Sequence, residues 1–280
     1  MVVGKEGSYM VIPAYAGALN PQGQRETALI TGASSGIGLD LARLMARNFD
    51  LILSARNQPT LEQIARELQQ QHGNLVHVIP ADLARPEAPE QIFAEIKRRG
   101  LRVDVLVNNA GFGGYGAFAD TDLSTELQMI QVNITALTQL TKLVLPGMRE
   151  RKRGRIMNVA STAGFLPGPL MAVYYATKAY VLSFSEAIAN ELKDSGITVT
   201  CLCPGATETG FAKRADMEKS RLFKMGTMRS EDVARAGYRA MLQGKTLVIT
   251  GARNLLMIES LRFSPRKMVT AIARSVQERV

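Results

Sequence analysis

A turn rich in glycine and hydroxyl side chains, at residues 31–38, carries the first chemical signal in the sequence. It follows a short β-branched run and precedes apolar residues at helical spacing. A helix N-terminus offers free backbone N–H groups and the positive end of a dipole, and both favour an anion such as a phosphate. Glycine lets the backbone approach that anion without a Cβ in the way. We therefore predict phosphate binding by Gly32, Ser34, Ser35, Gly36, Ile37 and Gly38.

The spacing of these glycines leaves a second interpretation open. It reads Gly-x-x-x-Gly-x-Gly, which differs from the Gly-x-Gly-x-x-Gly fingerprint of many dinucleotide sites. Glycine-rich turns also join strands to helices for purely steric reasons. The hydroxyls of Ser34 and Ser35 could cap the helix instead of binding a ligand. The rest of the chain has to decide between the two.

Strands and helices alternate along the chain, which would bring such a turn to the edge of a sheet. Apolar runs predict strands at 27–31, 50–55, 75–79, 103–107, 156–159, 198–202 and 247–250, and the longest helical patterns cover 122–148 and 172–194. This alternation is typical of an α/β protein with a doubly wound parallel sheet and helices on both faces. We assign residues 25–250 to this single domain, 1–24 to an N-terminal extension and 251–280 to an amphipathic tail.

The composition limits the class of protein. The net charge of +9 attracts polyanions, but the basic residues are spread along the chain and no nucleic-acid motif accompanies them. We therefore expect no nucleic-acid partner. Cys201 and Cys203 lie two apart in an apolar run, which favours buried free thiols in a reducing compartment over a disulfide or a metal site. No apolar run reaches membrane-spanning length, so we expect a cytoplasmic protein without a bound metal.

Four segments, in this order, resemble the short-chain dehydrogenase/reductase family of nicotinamide-dependent oxidoreductases. They are residues 31–38, Asn108-Asn109-Ala110-Gly111, Ser161 followed by Tyr174-Tyr175-Ala176-Thr177-Lys178, and Pro204-Gly205. Each segment is unspecific alone, but the combination, spread over about 26–250, is specific. The resemblance implies a Rossmann-type fold, a nicotinamide dinucleotide cofactor, and a homodimer or homotetramer packed through the two long helices.

The resemblance also implies a catalytic set of Asn133, Ser161, Tyr174 and Lys178. Tyr174 would give the substrate oxygen its proton as hydride arrives, and Ser161 would hydrogen-bond to that oxygen. Lys178 would hold the ribose hydroxyls, and Asn133 would seat a water behind it. The chemistry agrees, because residues four apart share a helix face and an ammonium lowers the pKa of a phenol from its usual ~10. Taken alone, the Tyr-x-x-x-Lys spacing would indicate only two residues on an ordinary exposed face of a helix.

The residues that follow other strands extend the predicted cofactor site. After the third strand, Asp82 could accept from the adenine amino group, although a solvated turn aspartate fits the sequence equally well. Thr207 and Thr209 resemble the family segment that holds the nicotinamide carboxamide, although both could be simple turn hydroxyls. Beyond the glycine turn we therefore assign to the cofactor Asp82, Leu83, Asn109, Ala110, Gly111, Tyr174, Lys178, Pro204, Gly205, Thr207 and Thr209.

The end of the second strand favours NADP(H) over NAD. Enzymes that use NAD generally place a carboxylate there for the ribose 2′-hydroxyl, about 20 residues past the glycines. This chain has Ser54-Ala55-Arg56-Asn57 instead, without an acid. The Arg56 guanidinium suits a 2′-phosphate, although a surface arginine in a basic protein is the alternative.

Apolar side chains flank the catalytic segments and predict a hydrophobic carbonyl compound or alcohol as substrate. The candidates are Phe112, Phe165, Leu166, Met171 and Phe211, although some could belong to the core. The charged segment 206–228 is expected to form a lid. The tail, 251–280, combines an apolar face with basic residues, and we favour packing on the body or at a subunit interface over contact with an anionic membrane.

The sequence as a whole predicts an NADP(H)-dependent oxidoreductase that interconverts a carbonyl and an alcohol. Two alternatives remain from the sequence alone. One is a nucleotide-binding regulatory or scaffold protein without turnover, and the other is a ketoreductase of acyl chains or lipids at a membrane surface. The intact set of Asn133, Ser161, Tyr174 and Lys178 argues against the first alternative, since a protein without turnover has no need of a reactive phenol.

Overall fold

The computed structural model describes residue 19, residues 23–215, 217, 220–221 and 226–278. The predicted N-terminal extension, 1–24, therefore lies almost entirely outside the described residues. Within them, Leu19 forms a single antiparallel bridge to Arg25, just before the first strand.

Seven parallel strands form one sheet in the order β3-β2-β1-β4-β5-β6-β9. They are β1 Thr27–Thr31, β2 Asp50–Ser54, β3 Val76–Val78, β4 Val105–Asn108, β5 Gly154–Val159, β6 Ile197–Cys203 and β9 Leu247–Ile249. The short strands β7 Thr207–Glu208 and β8 Met228–Arg229 pair separately. The chain order reverses beside β1, so β1 and β4 are neighbours and a crevice opens above their carboxyl ends, where ligands bind in such sheets. The predicted doubly wound α/β fold is confirmed.

Helices cover both faces of the sheet. They are α1 Gly36–Met45, α2 Gln58–His72, α3 Ala88–Arg98, α4 Leu123–Ile130, α5 Leu137–Glu150, α6 Ala172–Glu191, α7 Phe211–Arg214, α8 Ser230–Leu242, α9 Ala252–Leu261 and α10 Arg266–Gln277. Successive side chains of a strand point to opposite faces. In β1, Ala28 and Ile30 accordingly pack with α1, α2 and α8, whereas Leu29 packs with α3, α5 and α6.

Two regions differ from the predicted elements. The helix predicted at 122–148 is three consecutive pieces, because residues Gln131–Ala136 form a π-helical turn between α4 and α5. A π turn inserts an extra residue into the helix and turns the following side chains, and such turns are frequent at functional sites. The amphipathic tail is two helices, α9 and α10. Among the described residues, no helix is long and apolar enough to cross a membrane.

Candidate active site

One large cavity, of about 1230 Å³, lies above the carboxyl ends of the strands. Most residues predicted for the cofactor, catalysis and substrate line it together. Those on its wall are Gly32, Ser34, Ser35, Gly36, Ile37, Arg56, Asp82, Leu83, Asn109, Ala110, Gly111, Phe112, Ser161, Leu166, Met171, Tyr174, Lys178, Pro204, Gly205, Thr207, Thr209 and Phe211. Three predicted residues are not on the wall. Gly38 and Asn133 lie directly behind it, and Phe165 faces a separate depression of about 580 Å³.

The glycine turn is shaped to bring backbone N–H groups to the cavity. Gly32 and Gly36 adopt positive φ angles of 65° and 55°, which favour glycine. A Cβ at Gly38 would overlap the carbonyl oxygen of Gly32 and the side chain of Asn109. Ser35 precedes α1 but makes no capping hydrogen bond with its side chain, so the interpretation of the serines as helix caps finds no support at Ser35. These features fit the phosphates of a dinucleotide.

Asn109 fastens the end of β4 to this turn. Its side-chain amide donates to the carbonyl oxygens of Thr31 and Gly32, at 2.9 Å and 3.2 Å. The Thr31 hydroxyl in turn accepts from the backbone N–H groups of Asn109 and Ala110, each at 3.0 Å. Asn109 therefore shapes the cavity mainly by holding two loops together. Thr31 also holds these two loops together, a role that the sequence alone did not indicate.

The cavity wall at the end of β2 contains one further polar group that sequence reasoning missed. Ser54, the last residue of β2, is buried, lines the cavity, and its hydroxyl has no hydrogen-bond partner among the described residues. A buried hydroxyl without a partner costs free energy unless a ligand satisfies it. Arg56 lies two residues further on and is exposed at the same wall. Both side chains fit a phosphorylated ribose.

Asp82 lies on the same wall after β3, at a turn. One of its carboxylate oxygens accepts from the backbone N–H of Ala84 at 3.1 Å. The residue is half-buried and lines the cavity. Both interpretations of Asp82 are thus compatible with this geometry, since one oxygen closes the turn and the residue also lines the cavity.

Asn133 is positioned by the π turn and ties three segments together. Its side-chain oxygen accepts from the backbone N–H of Phe112 at 3.1 Å, and its amide donates to the Phe112 carbonyl at 3.0 Å. The amide also donates to the hydroxyl of Thr177 on α6, at 3.0 Å. Asn133 therefore fixes the loop after β4 against α6. A Cβ placed on Gly111 would lie 3.0 Å from the Asn133 oxygen and 3.5 Å from the Lys178 ammonium nitrogen.

Ser161, Tyr174 and Lys178 meet at the centre of the cavity wall. Ser161 follows β5, begins a 3₁₀ turn, and its hydroxyl donates to the carbonyl oxygen of Pro204 at 3.3 Å. Its side chain also lies close enough to the Tyr174 phenol to affect the pKa of that phenol. Lys178 lies one helical turn after Tyr174, with Nζ 5.8 Å from the centroid of the Tyr174 ring. That nitrogen donates to the carbonyl oxygen of Val159 at 2.8 Å. The three side chains are buried, so their hydrogen bonds act in a medium of low polarity.

Burial controls the protonation of this group. It raises the pKa of the Tyr174 phenol well above its usual value, and the nearby Ser161 side chain acts against that rise. The spacing in the sequence predicts that the Lys178 ammonium lowers the pKa of Tyr174. In the structure, desolvation by burial is the largest influence on this pKa and raises it. Burial also lowers the pKa of Lys178 to about 8, while the neighbouring thiols of Cys201 and Cys203 raise it. Tyr174 is therefore held as a protonated phenol, the form that can donate a proton.

The substrate side is apolar and includes residues that sequence reasoning did not assign. Phe211 lies against Tyr174, with ring centroids 5.2 Å apart, and Met171 is buried beside them. Helices α9 and α10 form another part of the wall, through Met257, Leu261, Ile272 and Val276 among others. The helical periodicity of the tail marked these side chains as one face of a helix, but not what that face covers.

Comparison with known proteins agrees with this geometry. A sequence model of the family described as short chain dehydrogenase matches residues 26–220. The very-long-chain 3-oxoacyl-CoA reductase of Anas platyrhynchos is 38% identical over 209 residues, 72% of this chain and 66% of that protein. A short-chain dehydrogenase from Sphingobium yanoikuyae, solved with NADPH, is 33% identical with a TM-score of 0.76, covering 85% of this chain and 94% of that one. The L-sorbose reductase of Gluconobacter frateurii, solved with NADPH and L-sorbose, is 26% identical with a TM-score of 0.70, covering 80% and 94%.

The sequence match, the solved relatives and the shape of the cavity agree on one class of protein. The glycine turn and the wall at Ser54 and Arg56 fit NADP(H), and solved relatives hold NADPH. This chain belongs to the short-chain dehydrogenase family and is an NADP(H)-dependent oxidoreductase that interconverts a carbonyl group and an alcohol.

Proposed function

We propose that Tyr174 is the general acid of this enzyme in the reduction of a ketone, and that Ser161, Lys178 and Asn133 support it. The observation that carries this assignment is that Ser161, Tyr174 and Lys178 line one cavity, with the Lys178 ammonium nitrogen 5.8 Å from the centroid of the Tyr174 ring. Bound NADPH supplies the hydride. The remaining steps belong to side chains of this chain.

Ser161 and Tyr174 would both donate hydrogen bonds to the substrate oxygen and so fix the carbonyl group. As the carbonyl carbon receives the hydride, the oxygen gains negative charge and takes the proton of Tyr174. The resulting phenolate lies beside the Lys178 ammonium, which stabilises it electrostatically. Asn133 acts from behind the site, because its bonds to Phe112 and Thr177 hold the loop and the helix that carry these groups.

The substrate we propose is a large, mostly apolar ketone, such as a 3-oxoacyl chain or a polycyclic ketone. Phe112, Leu166, Met171 and Phe211 line the cavity near Tyr174 and make that part of it apolar. The names of two relatives point the same way, since they are a very-long-chain 3-oxoacyl-CoA reductase and a 17-beta-hydroxysteroid dehydrogenase type 3. Phe165, which faces the separate depression, would contact substrate only at the rim of the site.

A ketone panel tests this proposal. The purified protein is assayed with NADPH against short ketones, long-chain ketones, 3-oxoacyl thioesters and steroid ketones, and consumption of NADPH is followed by absorbance. We expect turnover of the large apolar ketones and a lower kcat/KM for polar sugars of similar size. Turnover confined to polar sugars would contradict the assignment of the substrate class. Ser161→Ala should lower kcat roughly 100-fold, as removal of one oxyanion donor does.

We also propose that the enzyme is a homodimer or homotetramer assembled through the long helices. Exposed apolar side chains lie along α4 and α6, among them Leu123, Leu127 and Tyr180. Such a face is unusual on the surface of a monomer. Light scattering tests the assembly, and Leu127→Glu should shift the particle toward the monomer. An unchanged mass would show that this face is not the interface.

The site of action we propose is the cytoplasm. Cys201 and Cys203 are buried free thiols with their sulfur atoms 3.7 Å apart, which suits a reducing compartment. A peripheral contact of 251–280 with an anionic membrane stays a prediction. Leu256 and Phe263 are exposed there beside basic residues, and sedimentation with anionic vesicles tests it.

A further inference from the structure

The C-terminal helix α10 lies against the active-site cavity, outside the part of the chain that the family model matches. That match ends at residue 220, whereas α10 spans Arg266–Gln277. Its residues Val269, Ile272 and Val276 line the cavity. They recur every three or four residues and therefore share one face of the helix. This face is a wall of the substrate space.

Gln277, the last residue of α10, fastens that wall to the catalytic helix. The side chain is buried, with 1% of its surface exposed, and its amide donates a hydrogen bond to the hydroxyl of Tyr175. The backbone carbonyl of Gln277 accepts from the hydroxyl of Tyr115 at 3.1 Å. The end of α10 is thus held by two tyrosines from two different segments.

A third segment joins the same end of α10. The backbone N–H of Arg221 donates to the carbonyl oxygen of Glu278 at 3.2 Å, and its guanidinium donates to the Ser275 hydroxyl at 3.4 Å. These bonds are at the surface, where water competes for them. The bond between Gln277 and Tyr175 is buried, so water cannot take its place when a substitution removes one of the two partners.

Tyr175 connects this contact to the chemistry. It follows Tyr174 directly, and the two rings meet edge to face with centroids 6.1 Å apart and an interplanar angle of 77°. Tyr175 also packs so closely against Gly168 that a Cβ on that glycine would overlap its ring. The position of Tyr175 is therefore fixed from two sides, which makes it a firm attachment point for Gln277.

We propose that Gln277 is a positioning residue that selects for large apolar substrates by holding the wall formed by Val269, Ile272 and Val276 against the cavity. The inference rests on the proposed function. A short ketone reaches Ser161 and Tyr174 without touching this wall, whereas a long chain has to pack along it. Loss of the Gln277 bond to Tyr175 would free the end of the helix, and a long substrate would lose apolar contacts that a short one never makes.

The test is a specificity ratio, kcat/KM for 2-undecanone divided by kcat/KM for 2-butanone, measured with NADPH. We expect Gln277→Leu to lower this ratio about tenfold, the value of roughly one or two lost methylene contacts. Tyr175→Phe removes the same bond and should lower the ratio equally, and the double variant should fall no further. Equal losses for both ketones would mean a merely structural role and overturn the proposal. So would an unchanged ratio.

A second pair of variants tests the apolar wall and leaves the hydrogen bond between Gln277 and Tyr175 intact. Ile272 and Met268 lie one helical turn apart on α10, with 55% and 49% of their surface exposed, but only Ile272 lines the cavity. Ile272→Ala should lower the ratio, and Met268→Ala should leave it at the parent value. Equal effects of the two would overturn the proposal. If the parent enzyme reduces neither ketone, the proposed function is contradicted. The activity of the parent tests that function, whereas the ratios of the variants test the role of Gln277.

Discussion

Lys178 and Tyr174 are one helical turn apart on α6, and the ammonium nitrogen of Lys178 lies 5.8 Å from the centroid of the Tyr174 ring. The same nitrogen donates to the carbonyl oxygen of Val159 at 2.8 Å, which fixes it between strand β5 and the phenol. A single basic group is thereby placed beside a buried acid. Both side chains belong to α6, which packs against the core of the protein.

The burial of Lys178 predicts a stability that rises with pH. Burial lowers its pKa to about 8, below the value of 10.5 that the side chain has in the unfolded chain. Between these values the unfolded chain binds more protons than the folded one, so the free energy of unfolding increases as pH rises. Over pH 8–10 the parent protein should gain about 2 kcal/mol relative to Lys178→Met, measured by urea denaturation. The comparison stops at pH 10 because unfolded tyrosines titrate above it.

The two thiols beside Lys178 provide a control variant for this measurement. The thiols of Cys201 and Cys203 raise its pKa, so Cys201→Ala should widen the pH window in which stability rises. A difference between parent and Lys178→Met that stays constant over pH 8–10 would show that the buried nitrogen does not titrate in that range.

Gly38 should accept no larger residue without loss of cofactor binding. A Cβ there would overlap the Gly32 carbonyl and the Asn109 side chain, so the turn that presents N–H groups to the phosphates would have to move. Gly38→Ala should raise the Kd for NADPH at least tenfold, measured by fluorescence titration. Gly147→Ala is the matched control, because its Cβ would meet only the flexible end of Arg151. Equal affinities of the two variants would contradict the role of the turn.

Arg56 should control the choice between NADPH and NADH. It is exposed at the cavity wall after β2, where a guanidinium can pair with a 2′-phosphate. Arg56→Asp should lower the NADPH-to-NADH ratio of kcat/KM by roughly tenfold to a hundredfold, the value of one lost charge-assisted bond. Arg66→Asp makes the same charge change on the exposed side of α2, outside the cavity lining, and should leave the ratio near that of the parent. A similar ratio for both variants would remove Arg56 from the account.

Asn133 should contribute to both stability and activity. Its side chain makes two partly buried bonds to the Phe112 backbone and one buried bond to Thr177. Asn133→Ala leaves these groups unpaired and should lower the free energy of unfolding by about 1–3 kcal/mol. Thermal denaturation measures this, with the exposed Asn190→Ala as control. A stability loss no larger than that of the control would contradict the structural part of its role.

The sheet could be predicted closely from the sequence, because its signal is local. The strand predicted at 27–31 is observed at Thr27–Thr31, and the strand predicted at 198–202 is observed at Ile197–Cys203. Helix α2 ends at His72, and Gly73 after it is left-handed, with φ 61°. Short β-branched runs and the glycines that end helices can be recognised from residues adjacent in the sequence. The motif residues also come together as predicted, because the carboxyl ends of parallel strands meet at one edge.

The remaining features depend on contacts between distant residues, and the sequence could not show them. No local pattern in Gln131–Ala136 marks a π turn, and the contacts of Asn133 with Phe112 and Thr177 join segments that are distant in the chain. The pKa of Tyr174 depends on how deeply the whole fold buries it, which spacing on a helix does not report. Gln277 reaches Tyr175 across 102 residues, so no local pattern marks it.

The most direct test of the account is Tyr174→Phe, which removes one oxygen atom and keeps the ring that packs on Phe211. The variant is compared with the parent in NADPH-dependent reduction of a large apolar ketone and, separately, in NADPH binding by titration. We expect kcat to fall roughly 1000-fold, since a positioned general acid contributes about that much, and the Kd for NADPH to stay within about a factor of three of the parent value. Turnover that persists at the parent rate, with NADPH still bound, would show that the phenol of Tyr174 is not the proton donor.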